Sequence, residues 1–320
     1  MNFYPLILIP PVKDYIWGGT RLKEEYGIET DLEKCAEGWM LSCHKDAPSI
    51  VANGEYAGKT LPEVLDIWGK AALGIAVNTK EFPLLIKLID AADRLSVQVH
   101  PDDEYAYKNE GEPGKTEMWY VIDCDEDAEL IYGFNEDITK QEFESSIADN
   151  TLLEVCNRVK VKPDDVFFIK SGTLHAIGKG MLIAEVQQNS NTTYRVYDYG
   201  RPRELHINKA LDVTNLSASD YQRKPIDERS ISGDSRITLA ELCECDKFYA
   251  ERIVIDDSTL IFGNENSFVS VTVLDGEGTL TDIFGQNEIS LKKGMSIFIP
   301  ATYRVYLKGK LKLLIAGMPY

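Results

Sequence analysis

The sequence predicts a mainly β protein built as two related β-barrels, the first carrying short helical insertions. Three observations lead there. Short β-type runs bounded by Gly, Asp and Asn dominate the chain, at 117–122, 165–169, 180–187, 267–274, 295–299 and 310–316, the rhythm of sandwiches and barrels. Helical signals fall in a few segments and do not alternate with strands as a parallel βαβ fold requires. Finally, two strand–turn segments of the first part overlay two of the second.

Taken in order, residues 4–12 form the most apolar N-terminal stretch, with three prolines and no basic leader. The stretch is far shorter than the roughly 20 residues that span a bilayer, so it reads as a first strand of a cytoplasmic protein. Thr60-Leu61-Pro62-Glu63 is a capping box with Pro just inside the helix start, and Leu61, Val64, Leu65 and Trp68 repeat at helical spacing. Thr139 to Glu142 and Thr151 to Glu154 read as second and third capping boxes, with Phe143, Ile147, Leu152, Leu153 and Val155 as apolar positions.

The overlay places Thr116-Glu117-Met118-Trp119-Tyr120-Val121-Ile122-Asp123 on Phe268-Val269-Ser270-Val271-Thr272-Val273-Leu274-Asp275. It also places Asp165-Val166-Phe167-Phe168-Ile169 on Met295-Ser296-Ile297-Phe298-Ile299, and His175 on Val305. The second overlay closes up by the length of the helical segment between about 137 and 157, as an insertion would require. Two domains are therefore expected: residues 1–240, with helical insertions at about 58–75 and 137–157, and a degenerate copy at 241–320. In that copy Glu117 and His175 are matched by aliphatic Val269 and Val305, so it carries no metal ligands.

Composition narrows the function. Of 320 residues, 44% are hydrophobic and 27% charged, an ordinary globular balance, but 34 Lys+Arg face 52 Asp+Glu for a net charge of −18. Nucleic acid is disfavoured, since its binding draws on clustered cations, and an anionic membrane surface is disfavoured for the same reason. Any anionic ligand must be held by a few cations placed individually in a pocket. Six cysteines (Cys35, Cys43, Cys124, Cys156, Cys243, Cys245) contain no C-x-x-C pair, which points to reduced, mostly buried thiols.

The sharpest constellation is Gln98-Val99-His100, then Glu117, then His175. Residues two apart on a strand share a face, so Gln98 and His100 can look inward while Val99 points away. Two imidazoles, a carboxylate and an amide oxygen suit a borderline divalent ion such as Zn²⁺, one per chain. The bland alternative is a pair of satisfied core histidines. Lys87 is a charge inside the apolar run 83–89 and either reaches a pocket or snorkels. Lys115 lies two before Glu117 and is a pocket or a turn lysine. Glu185 is a carboxylate in an apolar strand, and Arg195 alternates with aromatic neighbours. Its fork suits a phosphate, with a structural salt bridge as the alternative.

The same residues lie in strings that resemble type I phosphomannose isomerase in its short bacterial form, built on the cupin (jelly-roll) fold. The strings are Tyr15-Ile16-Trp17-Gly18-Gly19; Glu37-Gly38-Trp39 with Ser42 and His44; Gln98-Val99-His100-Pro101-Asp102-Asp103; Gly114-Lys115-Thr116-Glu117-Met118-Trp119-Tyr120; Ser171-Gly172-Thr173-Leu174-His175-Ala176; Tyr194-Arg195-Val196-Tyr197-Asp198-Tyr199; and Gly200-Arg201-Pro202-Arg203-Glu204-Leu205-His206. The resemblance implies zinc held by Gln98, His100, Glu117 and His175, an active-site Arg195, and Lys87, Lys115 and Glu185 in the pocket. Longer relatives carry a Tyr where this chain has Ile177. His44 and His206 read as structural.

The implied activity is interconversion of mannose 6-phosphate and fructose 6-phosphate by proton transfer through an enediolate. Glu185 is then the base, its carboxyl made more basic by an apolar setting, and Lys115 its rival. Arg195, Lys87 and Lys115 would hold the sugar phosphate. A monomer or weak homodimer is expected. Two other readings stand beside this one, a metal-dependent cupin dioxygenase and a non-catalytic sugar-phosphate-binding cupin. A dioxygenase has no need of three cations converging on an anion, and a binding protein would show ligand-induced stabilisation with no turnover and no loss of function on chelation.

Overall fold

The computed structural model describes residues 3–79, 81–219, 221 and 226–319. It is mainly β, and the chain falls into two compact units. One comprises Met1–Asp14, Thr20–Leu88 and Ile226–Tyr320, the other Tyr15–Gly19 and Ile89–Pro225.

The first unit is organised by a nine-stranded antiparallel sheet. In spatial order it runs Glu228–Ile231, Asp234–Glu244, Tyr249–Phe262, Val305–Gly317, Val269–Asp282, Ser296–Ile299, Leu6–Ile9 and Ile50–Val51, with Glu288–Lys292 paired on Val269–Asp282. Alternate side chains of its central strands build one core: Val269, Val271 and Val273 with Ile297, Ile299, Leu311, Leu313 and Ile315. That period of two is what burial of one sheet face demands. The helix Leu61–Trp68 belongs to this unit and buries Leu61, Val64, Leu65 and Trp68 behind a complete Thr60/Glu63 capping box.

The second unit contains two antiparallel groups of strands. Glu117–Cys124 lies between Val166–Ile169 and Met181–Gln188. A five-stranded sheet runs Tyr194–Tyr197, Val97–Val99, His175–Ala176, Glu129–Phe134, Cys156–Lys160. Its apolar side packs Val97, Val99, Ile131, Leu174, Ala176 and Val196 with Phe143 of the helix Lys140–Ala148. That helix starts at the Thr139/Glu142 capping box, as the sequence indicates. Among the described residues the strands of both groups follow open paths and do not close into barrels.

The internal repeat reappears as matched strand pairing. Glu117 lies opposite Ile169 and Tyr120 opposite Val166; in the other unit Val269 lies opposite Ile299 and Thr272 opposite Ser296. The match extends to a third strand, with Glu117 opposite Gln187 and Trp119 opposite Glu185, as Val269 is opposite Gly317 and Val271 opposite Ile315. The carboxylates Glu117 and Glu185 of one copy are therefore answered by Val269 and Ile315, and His175, by the sequence overlay, by Val305, all three in the apolar core of the other.

Two local expectations need correction. Thr151 makes no side-chain cap, because its backbone is not extended and Leu152–Glu154 is a single 3₁₀ turn before the strand at Cys156. All six cysteines are free, but only Cys35 and Cys156 are buried, the other four being half-buried.

Candidate metal centre

The centre is built in the second unit, where the five-stranded sheet brings three residues into register. His175 lies opposite Gln98 on one side and Tyr132 on the other, and Gln98 lies opposite Arg195. Directly opposed residues share a face, so Arg195, Gln98 and His175 form a row across three strands. His100 follows at the end of Val97–Val99, two residues beyond Gln98. Glu117 opens the strand Glu117–Cys124, and Glu185 and Gln187 face the same side of Met181–Gln188.

His100, Glu117 and His175 are buried, and their candidate ligand atoms all lie within 4.8 Å of one another. His100 Nε2 is 3.6 Å from Glu117 Oε2, and His175 Nε2 is 3.5 Å from Glu117 Oε1. Two donors each about 2.0–2.2 Å from one tetrahedral cation are separated by roughly 3.3–3.5 Å, so these spacings fit a shared ion. The ring orientation fits as well. His100 Nδ1 donates to the Thr192 carbonyl at 2.8 Å, and His175 Nδ1 to the Thr173 carbonyl at 2.8 Å. A carbonyl only accepts, so each Nδ1 carries the proton and each neutral ring turns an Nε2 lone pair inward. Burial also drives the His175 pKa down to about 4, which keeps that ring neutral at pH 7.

Gln98 stands beside this group with its amide Nε2 3.5 Å from His175 Nε2 and its Oε1 accepting from Ser96 Oγ at 3.3 Å. A half-turn of the amide exchanges N for O at the same place, so the side chain can offer an oxygen there. Lys115 Nζ sits 2.9 Å from Glu117 Oε2 and 3.9 Å from Glu185 Oε1. Glu185 also accepts the Trp119 indole N–H at 2.9 Å. Its surroundings are thus partly polar, where the sequence suggested an apolar setting.

Arg195 is half-buried, donating to Ser96 Oγ at 3.1 Å and to the Glu204 carbonyl at 3.0 Å. It has no carboxylate partner of the kind a structural salt bridge would need among the described residues. His206 accepts the Arg195 backbone N–H on Nδ1 at 3.3 Å and heads the helix Ile207–Val213. Lys87 lies in the first unit, buried 3.8 Å from Glu37 Oε2 and 5.5 Å from the Trp39 ring centre. His44 of the same unit packs edge-on to Trp39 and accepts the Asp46 N–H.

Three neighbours escaped the sequence reading. Ser96 joins Gln98 to Arg195, Trp119 holds Glu185, and Gln187 keeps a buried Oε1 that has no hydrogen-bond partner among the described residues. Each is two residues from a recognised member, at 98, 117 and 185. The strand period alone could have nominated them.

A buried His–Glu–His cluster on an antiparallel β framework, flanked by a lysine, a second carboxylate and an arginine, defines a metal-binding enzyme of the cupin kind. Residues 6–132 match the family model for the phosphomannose isomerase type I catalytic domain, and residues 238–317 the mannose-6-phosphate isomerase cupin domain. The chain is 40% identical to mannose-6-phosphate isomerase ManA of Bacillus subtilis (strain 168), over 94% of each chain. It is 38% identical to a mannose-6-phosphate isomerase of Streptococcus mutans, over 94% of this chain and 93% of that one. The crystal structure of the mannose 6-phosphate isomerase from Bacillus subtilis superposes with a TM-score of 0.88 at 39% identity, covering 98% and 99% of the two chains. The chain belongs to the type I mannose-6-phosphate isomerase family.

Proposed function

We propose that the protein is a zinc-dependent aldose–ketose isomerase that interconverts mannose 6-phosphate and fructose 6-phosphate through an enediolate. The observation that carries this reading is the His100–Glu117–His175 group, with both Nε2 lone pairs turned inward beside Lys115 and Glu185. Gln98, His100, Glu117 and His175 would hold one zinc ion, the nitrogen and oxygen donors suiting a borderline cation. When bound, zinc supplies Lewis-acid polarisation of the sugar oxygens.

The chain's own residues handle protons and charge. The reaction moves a proton between C2 and C1, so a single base on one face of the enediolate takes and returns it. Glu185 is assigned that part, with one oxygen anchored by the Trp119 indole and the other 3.9 Å from Lys115 Nζ. Lys115, in contact with both carboxylates, is the rival base and otherwise stabilises negative charge. Arg195, next to Gln98 and without a carboxylate partner among the described residues, is assigned to the enediolate or phosphate. Lys87 is assigned to substrate binding as a buried cation in an apolar strand.

The domain division at about residue 240 belongs to the same proposal, supported by the second family match at 238–317. So does a cytoplasmic location, since sugar phosphates are charged and do not cross bilayers unaided. A monomer or weak homodimer completes it. The test is a coupled assay of mannose 6-phosphate conversion, run before chelation, after chelation, and with zinc, cobalt or manganese added back. Activity lost with the metal and restored best by zinc supports the reading. Undiminished turnover in metal-stripped protein overturns it, and oxygen consumption with substrate would favour a dioxygenase.

A further inference from the structure

His100 is aimed through one atom, the Thr192 carbonyl oxygen that takes its Nδ1 proton. Thr192 belongs to no strand; it lies between Met181–Gln188 and Tyr194–Tyr197. A carbonyl in such a connection keeps its direction only if the segment is pinned. Gln187 Nε2 donates to the Ser190 carbonyl at 2.7 Å, and the pin at Thr192 itself is one carboxylate oxygen. Glu112 Oε1 accepts from Ser190 Oγ at 3.1 Å, the Asn191 N–H at 3.1 Å and Thr192 Oγ1 at 2.5 Å. Thr192 N–H in turn donates to Ser190 Oγ at 3.3 Å, closing the turn on itself.

Glu112 is itself held in place by its neighbours in the chain. Gly114 donates its N–H to Asp103 Oδ1, and its Cα lies so close to the backbone of Asp102 and Asp103 that a Cβ would fall 2.4 Å from the Asp102 carbonyl carbon. The backbone N–H of Lys115 then bonds to the Pro101 carbonyl. One short segment thus delivers the carboxylate of Glu117 and, through Glu112, the orientation of His100.

We propose that Glu112 is a positioning residue of the metal centre. Its negative charge gathers three donors on one oxygen, and so fixes the Thr192 carbonyl that sets the His100 tautomer. Hydrogen bonds to an ionised acceptor are about twice as strong as neutral ones, which explains why a carboxylate and not an amide stands there. This inference rests on the metal reading proposed for the site, and it concerns how His100 is aimed, since Glu112 itself is not assigned as a ligand.

The test uses the full chain labelled with ¹⁵N-histidine, metal-free and then titrated with zinc against a chromophoric chelator. In Glu112→Ala the His100 Nδ1–H signal is expected to shift toward the Nε2–H tautomer or broaden. The His175 signal, held by Thr173, stays put. Zinc affinity is expected to fall about 10–100-fold, the usual loss when a ligand's outer partner is removed. Glu112→Gln, which keeps an acceptor oxygen, should lie between. If Glu112→Ala does not fold, Thr192→Val removes one of the three donors while keeping the carbonyl, and the same signals are read. Unchanged His100 signals with zinc affinity within about twofold of wild type would overturn the proposal. A wild-type chain that binds no zinc sinks the metal reading alone, because the metal-free His100 spectra still decide the role of Glu112.

Discussion

Glu117 carries the centre's negative charge, contacted by Lys115 and by two inward-facing imidazoles. A fully buried carboxylate is stable only with such partners, so Lys115, 2.9 Å from Glu117 Oε2, supports the folded centre whatever else it does. The two candidate bases can be separated by solvent-proton exchange into the sugar. If Glu185 is the base, Glu185→Gln retains metal and loses deuterium uptake at C1 and C2 by about three orders of magnitude or more. Lys115→Met then lowers turnover but keeps measurable exchange, and the reverse pattern would make Lys115 the base. Arg195→Ala should leave zinc near one per chain while kcat/KM falls by about 10²–10³, the scale of one lost charge-stabilising donor.

The depressed pKa of His175 gives a pH dependence with a definite sign. Its folded value of about 4 lies below the ordinary histidine value of 6.5, so the unfolded chain binds the proton more readily. This contribution to stability is complete above pH 6.5 and is lost as pH falls toward 4. Denaturant midpoints of metal-free protein should drop across that window, and by less in His175→Asn. At this scale the sequence was informative where spacing sufficed: the i, i+2 pair Gln98 and His100 and the strand carboxylate Glu117 are where period two puts them. Thr192 and Thr173, which orient the rings, contribute only backbone carbonyls, and no side-chain pattern announces those.

Secondary structure was legible where local chemistry decides it. Thr60 and Thr139 cap helices because Glu63 and Glu142 return the bond three residues later. Thr139→Ala should lower stability by about 1 kcal/mol in a thermal or denaturant melt without touching turnover, since the site lies on an exposed helix start. The long strands Val269–Asp282 and Val305–Gly317 extend well beyond the residues 267–274 and 310–316 that their apolar runs suggest. Gly276, Gly278 and Gly309 punctuate them and look like turns, yet each glycine is paired across the sheet, with a bulge between Val273 and Asp275 absorbing the irregularity. Helices Asp103–Asn109 and Ile207–Val213 are too short for periodicity to show, though Asp102 caps the first through the Tyr105 N–H.

At the scale of the whole molecule, the repeat sets the His–Glu–His cluster of one copy against an apolar core in the other. The same three-strand register recurs, but Glu117 and Glu185 give way to Val269 and Ile315 in a continuous apolar core, which also holds Val305, the overlay partner of His175. Writing the carboxylate back, as Val269→Glu, should therefore cost about 3 kcal/mol or more of stability, because the core cluster that surrounds that position among the described residues is entirely hydrophobic. It should add no second equivalent of zinc. The net charge of −18 takes its meaning here too. The acidic balance describes the surface, whereas Lys115 and Arg195 stand beside the inward-facing residues of the metal centre. The metal centre is tested most directly by zinc content and mannose 6-phosphate turnover determined on the same preparations of wild type and Glu117→Gln. About one zinc per chain with turnover is expected in the first and neither in the second; a zinc-replete, fully active Glu117→Gln would contradict the assignment.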